Sequence, residues 1–345
     1  MKNLFIGIDF SKKTFDVSFF EGSKAQEIHH EQFMNDFQGY GELIRLLKRS
    51  TKVPSDEWLF CGEHTGLYGI SLTEFLLKKG LFIWLENPLQ IKLSTGVKRE
   101  KNDKADSLEI ARYAYRFHDR AVECRPTDKD ITSLRLLLSF RERLIRNKKS
   151  LLISAKEMRS IYERNRRATY VYEQSMRGIK RINKEIKETE RQMLEIISSS
   201  PSLEENYDLA TSVKGIALIN TVAIMVHTDN FTRFDNARQF ACYAGVVPFG
   251  KSSGTSLNSP KRTSSLANKQ IRALLTQAAL CAIIHDNELR SYYNRKVQEG
   301  KDRRLVINNV KNKLVHRIFA VVKNKIKYQA NYQNTVEDIN EGINA

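Results

Sequence analysis

The chain has 345 residues, of which 41% are hydrophobic and 28% are charged, enough for more than one domain with a buried core. Its longest apolar stretches, such as ALINTVAIMV, are too short to span a membrane, and MKNLFIGIDF predicts a strand instead of a secretion signal. The net charge of +17 and the isoelectric point near 9.6 favour a polyanionic partner, of which nucleic acid is the commonest.

Cysteine usage and hydropathy indicate a cytoplasmic protein. The mean hydropathy is −0.47, as expected of a soluble chain. Four cysteines are scattered without metal-binding spacing, and we interpret them as reduced thiols: Cys61, Cys124, Cys242 and Cys281. An anionic membrane surface is the alternative polyanion, but we find no basic amphipathic helix with a strong apolar face.

Residues 1–130 alternate strand and helix patterns, which predicts an α/β sheet. LFIGIDF and TFDVSFF predict a hairpin that is joined by the polar turn SKK. Further strands are predicted in EWLFCGEHTG and LFIWLENP, where a proline stops the run. Helices are predicted in GYGELIRLLKRS, YGISLTEFLLKKG and DKADSLEIARYAYRF.

Residues 131–200 have almost no Gly or Pro and predict long helices in a coiled-coil arm. One predicted seam runs from Leu134 through Leu138 and Ile145 to Ala155, and a second runs from Ile179 to Met193. Between positions 141 and 192 there are 16 Lys and Arg against 7 Asp and Glu. A solvated helix face is the simple explanation, but this excess favours an arm that pairs with another copy and contacts nucleic-acid backbone.

Residues 201–345 predict a mainly helical domain. VKGIALINTVAIMV places Lys214 and Gly215 between two helical patterns, similar to a helix-hairpin-helix, whose amides hold phosphate at a helix N-terminus. GKSSGTSLNSPKRTSS predicts a polar, cationic loop. Its composition alone fits a functional loop and a flexible linker equally well.

Four acids stand where a metal site would need them. Asp9 and Glu63 follow apolar strand-like runs, and Asp103 and Asp106 share one face at the start of a predicted helix. Each acid alone has an ordinary explanation, a turn or a helix N-terminus. Together they would bind two Mg²⁺ ions through hard oxygen ligands and support phosphodiester cleavage. The order strand-Asp, strand-Glu, helix-Asp-x-x-Asp resembles the RuvC-like branch of the ribonuclease-H superfamily.

Several segments in order carry a more specific resemblance: GIDFSKKTFDV, EHTGLYG, KREKNDKADSLEIARYA, VKGIALINTVAIMV, FDNARQFACYAGVVPFGKSSG and NKQIRALLTQAAL. From about residue 5 to about residue 325 the chain resembles the DEDD transposases of insertion sequences, the family that includes the Piv DNA invertase. The resemblance implies a RuvC-like domain, a coiled coil, and a helical transposase domain with a nucleophilic serine. It also implies a homo-oligomer, dimer or tetramer, that acts on donor and target DNA, in many members with a structured guide RNA.

The same resemblance assigns catalytic and metal-binding roles to Asp9, Glu63, Asp103 and Asp106, and the nucleophile to Ser253. Ser252 is adjacent, and Thr255 stands where many relatives have a second glycine. A serine hydroxyl needs a base or metal to take its proton, so the carboxylates would have to supply activation across domains. His64 is a further candidate beside Glu63. We expect three basic residues that flank the serine to hold a DNA phosphate: Lys251, Lys261 and Arg262. The cations around the acid pair either bind the DNA backbone or only balance the acids: Lys98, Arg99, Lys101 and Lys104.

Two other functions remain open from sequence. A metal-dependent nuclease or junction resolvase would use the four acids without covalent serine chemistry. A nucleic-acid-binding scaffold would need no acids at all, so the presence of all four argues against it.

Overall fold

The computed structural model describes residues 2–24, 26–63, 66, 68–95, 103–124, 128–253, 257–263 and 267–329. At positions 95, 103, 248–253 and 257–263 it describes the backbone alone. The chain divides into two compact units, Met1–Pro126 and Thr127–Ala345. Each unit has its own hydrophobic core.

The first unit is built on a five-stranded mixed sheet with the order β3-β2-β1-β4-β5. Its strands are β1 Leu4–Phe10, β2 Thr14–Glu21, β3 His29–Met34, β4 Trp58–Glu63 and β5 Ile83–Glu86. Strands β1, β2 and β3 pair antiparallel, whereas β1, β4 and β5 pair parallel. The predicted hairpin and both further strands are confirmed. The sequence pattern does not predict β3, because this edge strand is mostly polar and exposed.

In the part of this unit that the structure describes, the helices are α1 Phe37–Ser50, α2 Ile70–Lys78, α3 Pro88–Thr95 and α4 Asp103–Arg116. Short 3-10 turns occur at Gly22–Lys24, Ser55–Glu57 and His118–Arg120. The three predicted helices are confirmed. Helix α3 is not predicted, because Pro88 stops the preceding strand pattern, yet proline also suits the first turn of a helix.

Both faces of the sheet are covered, as an α/β layer architecture requires. Tyr40 and Leu43 of α1 and Leu72 of α2 pack with the even-numbered side chains of β1, such as Ile6. The opposite core contains Phe5, Ile91 of α3, and Ile110 and Ala111 of α4. Side chains alternate between the two faces of a strand, so Gly7 and Asp9 lie on the α4 face with Phe5.

The second unit is mainly helical, as predicted. Its helices are α5 Lys129–Ile161, α6 Arg166–Ser199, α7 Pro201–Thr211, α8 Leu218–Thr228, α9 Ala237–Tyr243, α10 Lys269–His285, α11 Asn287–Gln298 and α12 Arg303–Asn324. The predicted polar loop is wrong: it is a two-stranded antiparallel hairpin, β6 Pro248–Ser253 and β7 Leu257–Thr263. Small polar residues have weak strand propensity, so the pairing between the two strands is what stabilises the extended backbone here.

Helices α5 and α6 form a long antiparallel pair. Arg141 Nε donates to Glu190 Oε1 at 2.7 Å, and towards the far end Arg159 lies 4.3 Å from the centroid of the Tyr172 ring. The buried seam contains Leu138, Leu144, Ala155, Ile179, Ile186 and Met193. The predicted seam is right except that Leu144 is buried in place of Ile145, which is 37% exposed. A coiled coil with another copy, and a three-part division of the chain, stay predictions.

Within the described part of the chain, none of the helices has the length and apolar character needed to cross a bilayer. All four cysteines are free thiols.

Gly7 controls how closely α4 lies on β1. A Cβ atom at this position would lie 2.1 Å from the Ser107 carbonyl oxygen and 2.2 Å from the Ala111 amide nitrogen. Because both are backbone atoms, Gly7→Ala is expected to displace α4 and lower the free energy of unfolding by about 3 kcal/mol, measured with denaturant.

The matched control is Gly41→Ala in α1, where a Cβ atom would meet nothing within 4 Å. We expect this variant to be as stable as the wild type or more stable by up to about 1 kcal/mol, because alanine favours helix. Equal denaturation midpoints for the two variants would contradict the close contact at Gly7.

Candidate functional site

The parallel register of β1 and β4 sets Asp9 beside Glu63. Ile8 pairs with Gly62, so the next positions along both strands are Asp9 and Glu63, at the carboxyl ends of neighbouring strands. Neighbouring strands lie about 4.8 Å apart, and side chains at matched positions share a face. Both carboxylates are partly buried and lie on the α4 face of the sheet.

Helix α4 runs antiparallel to β1, which brings its first turn to the same end of the sheet. The Tyr115 ring near its last turn lies 5.1 Å from that of Phe5, at the start of β1. Ser107 Oγ lies 2.8 Å from Ser18 Oγ on β2. Asp106, which is partly buried, directly precedes Ser107, and Asp103, of which only the backbone is described, lies one turn before Ser107. The fold therefore brings the backbone positions of the four predicted acids to one end of this sheet.

Two further acids extend the row across the sheet. Asp16 on β2 pairs with Asp9, and Glu86 on β5 pairs with Glu63. The order across four strands is therefore Asp16, Asp9, Glu63, Glu86. The sequence pattern does not single out Asp16 or Glu86, although Glu86 ends an apolar strand just as Glu63 does.

Both flanking acids are held by hydrogen-bond donors. Asp16 is 4% exposed, lies 3.1 Å from His30 Nε2 and accepts from Gln32 Nε2 at 2.9 Å. Glu86 accepts from the Tyr113 hydroxyl at 3.1 Å and from the Asn87 backbone amide at 2.6 Å. These bonds fix the outer acids of the row.

Negative charge accumulates at this end of the sheet. Burial raises the pKa of Tyr113 to about 12, and the neighbouring charge of Glu86 adds to the rise. Burial also raises the pKa of the Cys61 thiol, helped by Glu86 and Glu63. An all-carboxylate donor set in a negative field fits a hard divalent cation. The described side chains alone contain no group of three His, Cys, Asp or Glu poised to hold a metal, and the side chain of Asp103 lies outside them.

The remaining candidates of the first unit are placed in part. Lys104 is exposed on the first turn of α4, next to the acid pair. Lys98, Arg99 and Lys101 lie outside the described residues, as does His64.

In the second unit, Ser253 is the last residue of β6 and pairs with Leu257, beside the turn of the hairpin. Ser252 pairs with Asn258, and Lys251 pairs with Ser259. Lys261 and Arg262 lie on β7, where Arg262 pairs with Phe249. The hairpin therefore carries the serine candidates and three cations on one short element. Gly254 and Thr255 lie outside the described residues.

Gly215 connects α7 to α8 with a φ of +92°, the left-handed region that favours glycine. A Cβ atom here would lie 2.6 Å from the Ala278 carbonyl oxygen of α10. The glycine thus allows the α7–α8 connection to pack closely against α10, whereas the neighbouring Lys214 is exposed. Phosphate binding by these two residues stays a prediction.

A polar chain that the sequence analysis does not identify ties the two ends of the hairpin together. Asn268 Nδ2 donates to the Tyr243 hydroxyl at 2.8 Å, and that hydroxyl lies 2.8 Å from His227 Nδ1. His227 also bonds Gln270, whose amide donates to Glu142 on α5. Tyr243 ends α9 before β6, and Asn268 caps α10 after β7. Its backbone amide donates to the Tyr243 carbonyl at 2.9 Å. The base of the hairpin is therefore anchored to the helical core.

Two family models match this chain. Residues 6–158 match a transposase model of the DEDD, IS110 type, and residues 207–294 match the model described as the transposase IS116/IS110/IS902 family. The pilin gene-inverting proteins of Moraxella bovis and Moraxella lacunata are each 26% identical over 327 residues, which is 94% of this chain and 97% of theirs. The uncharacterized 43.6 kDa protein of insertion element IS110 from Streptomyces coelicolor is 26% identical over 127 residues, 37% of this chain and 31% of its own length.

The matches define a transposase, an enzyme that cuts and joins DNA. The chain belongs to the IS110-type transposase family, and the pilin gene-inverting proteins are similar to this chain along almost their whole length. The predicted resemblance to the DEDD transposases of insertion sequences is confirmed. A DEDD domain implies dependence on a divalent metal.

His227 provides a test of the polar chain. Burial lowers its pKa from 6.5 to about 4, and the charges of Arg135 and Arg233 contribute. Between these values the unfolded chain binds a proton that the folded chain does not, so stability falls as pH falls from 6.5 towards 4. Between pH 7 and pH 5, we expect the free energy of unfolding of the wild type to fall by about 2 kcal/mol more than that of His227→Gln. Denaturant unfolding at the two pH values measures this difference.

The control is His285→Gln, which removes an exposed histidine at the end of α10. It is expected to keep the wild-type pH dependence. If His227→Gln and His285→Gln respond alike, His227 does not remain neutral in the folded protein.

Proposed function

We propose that this transposase exchanges DNA strands through Ser253, with Mg²⁺ held by Asp9, Glu63, Asp103 and Asp106. The observation that carries the proposal is the matched register of Asp9 and Glu63 at one end of the sheet, with the first turn of α4 at the same end. We assign the first unit to the RuvC-like class on the same evidence.

The carboxylates contribute hard oxygen ligands on a rigid frame. When bound, Mg²⁺ would lower the energy of the attacking oxygen's negative form and stabilise the leaving oxygen. Asp9 and Glu63 are fixed by the sheet, and Asp106 by the helix that packs against Gly7. Asp16 and Glu86, held by their own donors, extend the negative field that attracts the cation.

Ser253 is the proposed nucleophile. Its Oγ would attack the phosphorus of a DNA phosphodiester, forming one P–O bond while the P–O bond to the leaving DNA oxygen breaks. The serine proton passes to a base, and the leaving oxygen takes up a proton. Residues 244–266 contain no Asp, Glu or His, so the base must come from outside the hairpin. Lys251, Lys261 and Arg262 would neutralise the phosphate.

The phosphoserine link would preserve the energy of the diester bond until the DNA oxygen of another strand replaces the serine. Ser253 and the four carboxylates belong to different units of the chain, so the proposal requires both units to act on the same DNA.

The substrates are donor and target DNA, and the proposed guide is a structured RNA. The net charge of +17 and the excess of cations on α5 and α6 support polyanion binding. We propose that the protein acts as a homo-oligomer, dimer or tetramer, in the cytoplasm. The further proposed nucleic-acid contacts are Lys214 and Gly215 and the four cations that lie close to the acid pair in sequence: Lys98, Arg99, Lys101 and Lys104.

A metal-dependent nuclease or junction resolvase is the second candidate. The carboxylate row favours it equally, because that row needs no serine to cleave DNA by hydrolysis.

Replacement of Ser253 separates the two functions. We expect Ser253→Ala to abolish the covalent protein–DNA adduct, detected as a species that survives denaturing electrophoresis and is removed by protease. Ser252→Ala is the matched control on the same strand and should retain the adduct. Persistent cleavage without any adduct in the wild type would favour the nuclease, and loss of the adduct only in Ser252→Ala would move the nucleophile by one residue.

Replacement of Asp9 tests the metal site. Asp9→Asn keeps the size of the side chain but removes a charged ligand, so DNA cleavage in Mg²⁺ is expected to fall by at least about 100-fold. The control Asp119→Asn changes an exposed acid of the same unit and should cleave normally. Cleavage by Asp9→Asn at the wild-type rate would rule out this carboxylate as a ligand.

A further inference from the structure

Lys311 of α12 is buried, and the described residues give it no carboxylate partner. Only 6% of the residue is exposed, and its Nζ lies 3.4 Å from the Thr276 hydroxyl of α10. Burial lowers the pKa of Lys311, and the nearby positive charge of Arg272 lowers it further. Within the described ranges no carboxylate forms an ion pair with Lys311 or Arg272. A buried cation without a counter-ion costs several kcal/mol, so its presence needs an explanation.

The same helix shows how this fold compensates a buried cation elsewhere. Arg317, two turns further along α12, donates to Asp286 at 2.9 Å and pairs with Glu288 at 2.7 Å. Asp286 is itself only 3% exposed. Arg317 thus has its counter-ions within the protein, whereas the described residues supply no counter-ion to Lys311.

The surrounding segments have no acid to offer. Residues 236–285, which include α9, the hairpin and α10, contain six Lys and Arg and no Asp or Glu. Helix α12 likewise contains six Lys and Arg and no Asp or Glu. Arg272 and Thr276 occupy neighbouring turns of α10 and are both partly exposed, so the pair is accessible from solvent.

This pair lies beside the start of the hairpin. The Arg272 Cδ is 3.8 Å from the Cβ position of Gly245, whose φ is +67°. Asn308, one turn before Lys311, donates to the Val246 carbonyl at 2.7 Å. Gly245 and Val246 directly precede β6, which ends at Ser253. A ligand at Lys311 and Arg272 would therefore lie at the base of the serine-bearing element.

We propose that Lys311 and Arg272 form a binding site for a DNA phosphate at the base of the β6–β7 hairpin. The inference rests on the proposed function to the extent that the hairpin acts on DNA. A phosphodiester supplies the missing negative charge, and its oxygens accept from the ammonium, the guanidinium and the Thr276 hydroxyl. The two like charges, which oppose each other in the free protein, then cooperate on one anion.

The test is the binding of a fluorescent DNA duplex to the full chain over a range of KCl concentrations. Lys311→Met removes the charge and keeps the apolar stem. We expect binding to weaken by at least about tenfold and the slope of log K against log salt to fall by about 1. Arg272→Gln, at a partly exposed position, should reproduce both changes, and Lys311→Arg should restore the slope.

The matched control is Lys313→Met on the exposed side of α12, which should retain the affinity and slope of the wild type. If Lys313→Met and Lys311→Met lose the same affinity and slope, or if Lys311→Met binds as the wild type does, the site is refuted.

Thermal unfolding with inorganic pyrophosphate separates this site from a purely structural lysine. Pyrophosphate should raise the melting temperature of the wild type but not that of Lys311→Met. Without pyrophosphate, Lys311→Met should melt at the same temperature as the wild type or higher, because an uncompensated buried charge is removed. A lower melting temperature together with unchanged DNA binding would make Lys311 structural and overturn the proposal. Failure of the Ser253 adduct alone would overturn the serine chemistry and leave this phosphate site intact.

Discussion

The contact between Gly7 of β1 and the backbone of α4 is the constraint on which the first unit depends. With no Cβ atom at Gly7, the helix backbone lies directly on the central strand, where any other residue would meet the Ser107 carbonyl and the Ala111 amide. The serine pair Ser18–Ser107 fixes the helix at the same level. Because α4 runs antiparallel to β1, this one contact determines where its two N-terminal acids lie relative to Asp9 and Glu63. A sheet register and a single glycine thus bring together residues that are about 100 positions apart in sequence.

Each unit gathers charge of one sign at its proposed site, acidic in the first unit and basic in the second. In the first, parallel pairing repeats an acid at the end of each strand, and burial with Glu86 nearby raises the pKa of Tyr113 to about 12. In the second, residues 236–285 contain the serine hairpin and no Asp or Glu, and Lys311 of α12 is buried beside Thr276 of that run. Placing like charges close together costs stability. We propose that a bound divalent cation at the acids and a bound phosphate at the cations each offset part of this cost.

The sequence predicts most of this fold because its strongest signals are local. Alternating apolar runs identify β1, β2, β4 and β5, and helical periodicity identifies α1, α2 and α4. The edge strand β3 and the hairpin β6–β7 escape prediction because both are polar and depend on a pairing partner. Asp16 and Glu86 escape because their proximity to Asp9 and Glu63 depends on register, which periodicity does not specify. The chain from Asn268 through Tyr243 to His227 joins three helices, and no local pattern indicates it.

The central claim is that the acids at the end of this sheet jointly bind divalent metal. Anomalous scattering from crystals of the protein grown with Mn²⁺, a substitute for Mg²⁺ with the same preference for oxygen ligands, tests it most directly. The account predicts a peak within about 2.5 Å of carboxylate oxygens from Asp9, Glu63 and at least one of Asp103 and Asp106. A fully occupied Mn²⁺ elsewhere in the molecule, with these carboxylates bound only to protein donors, would contradict it.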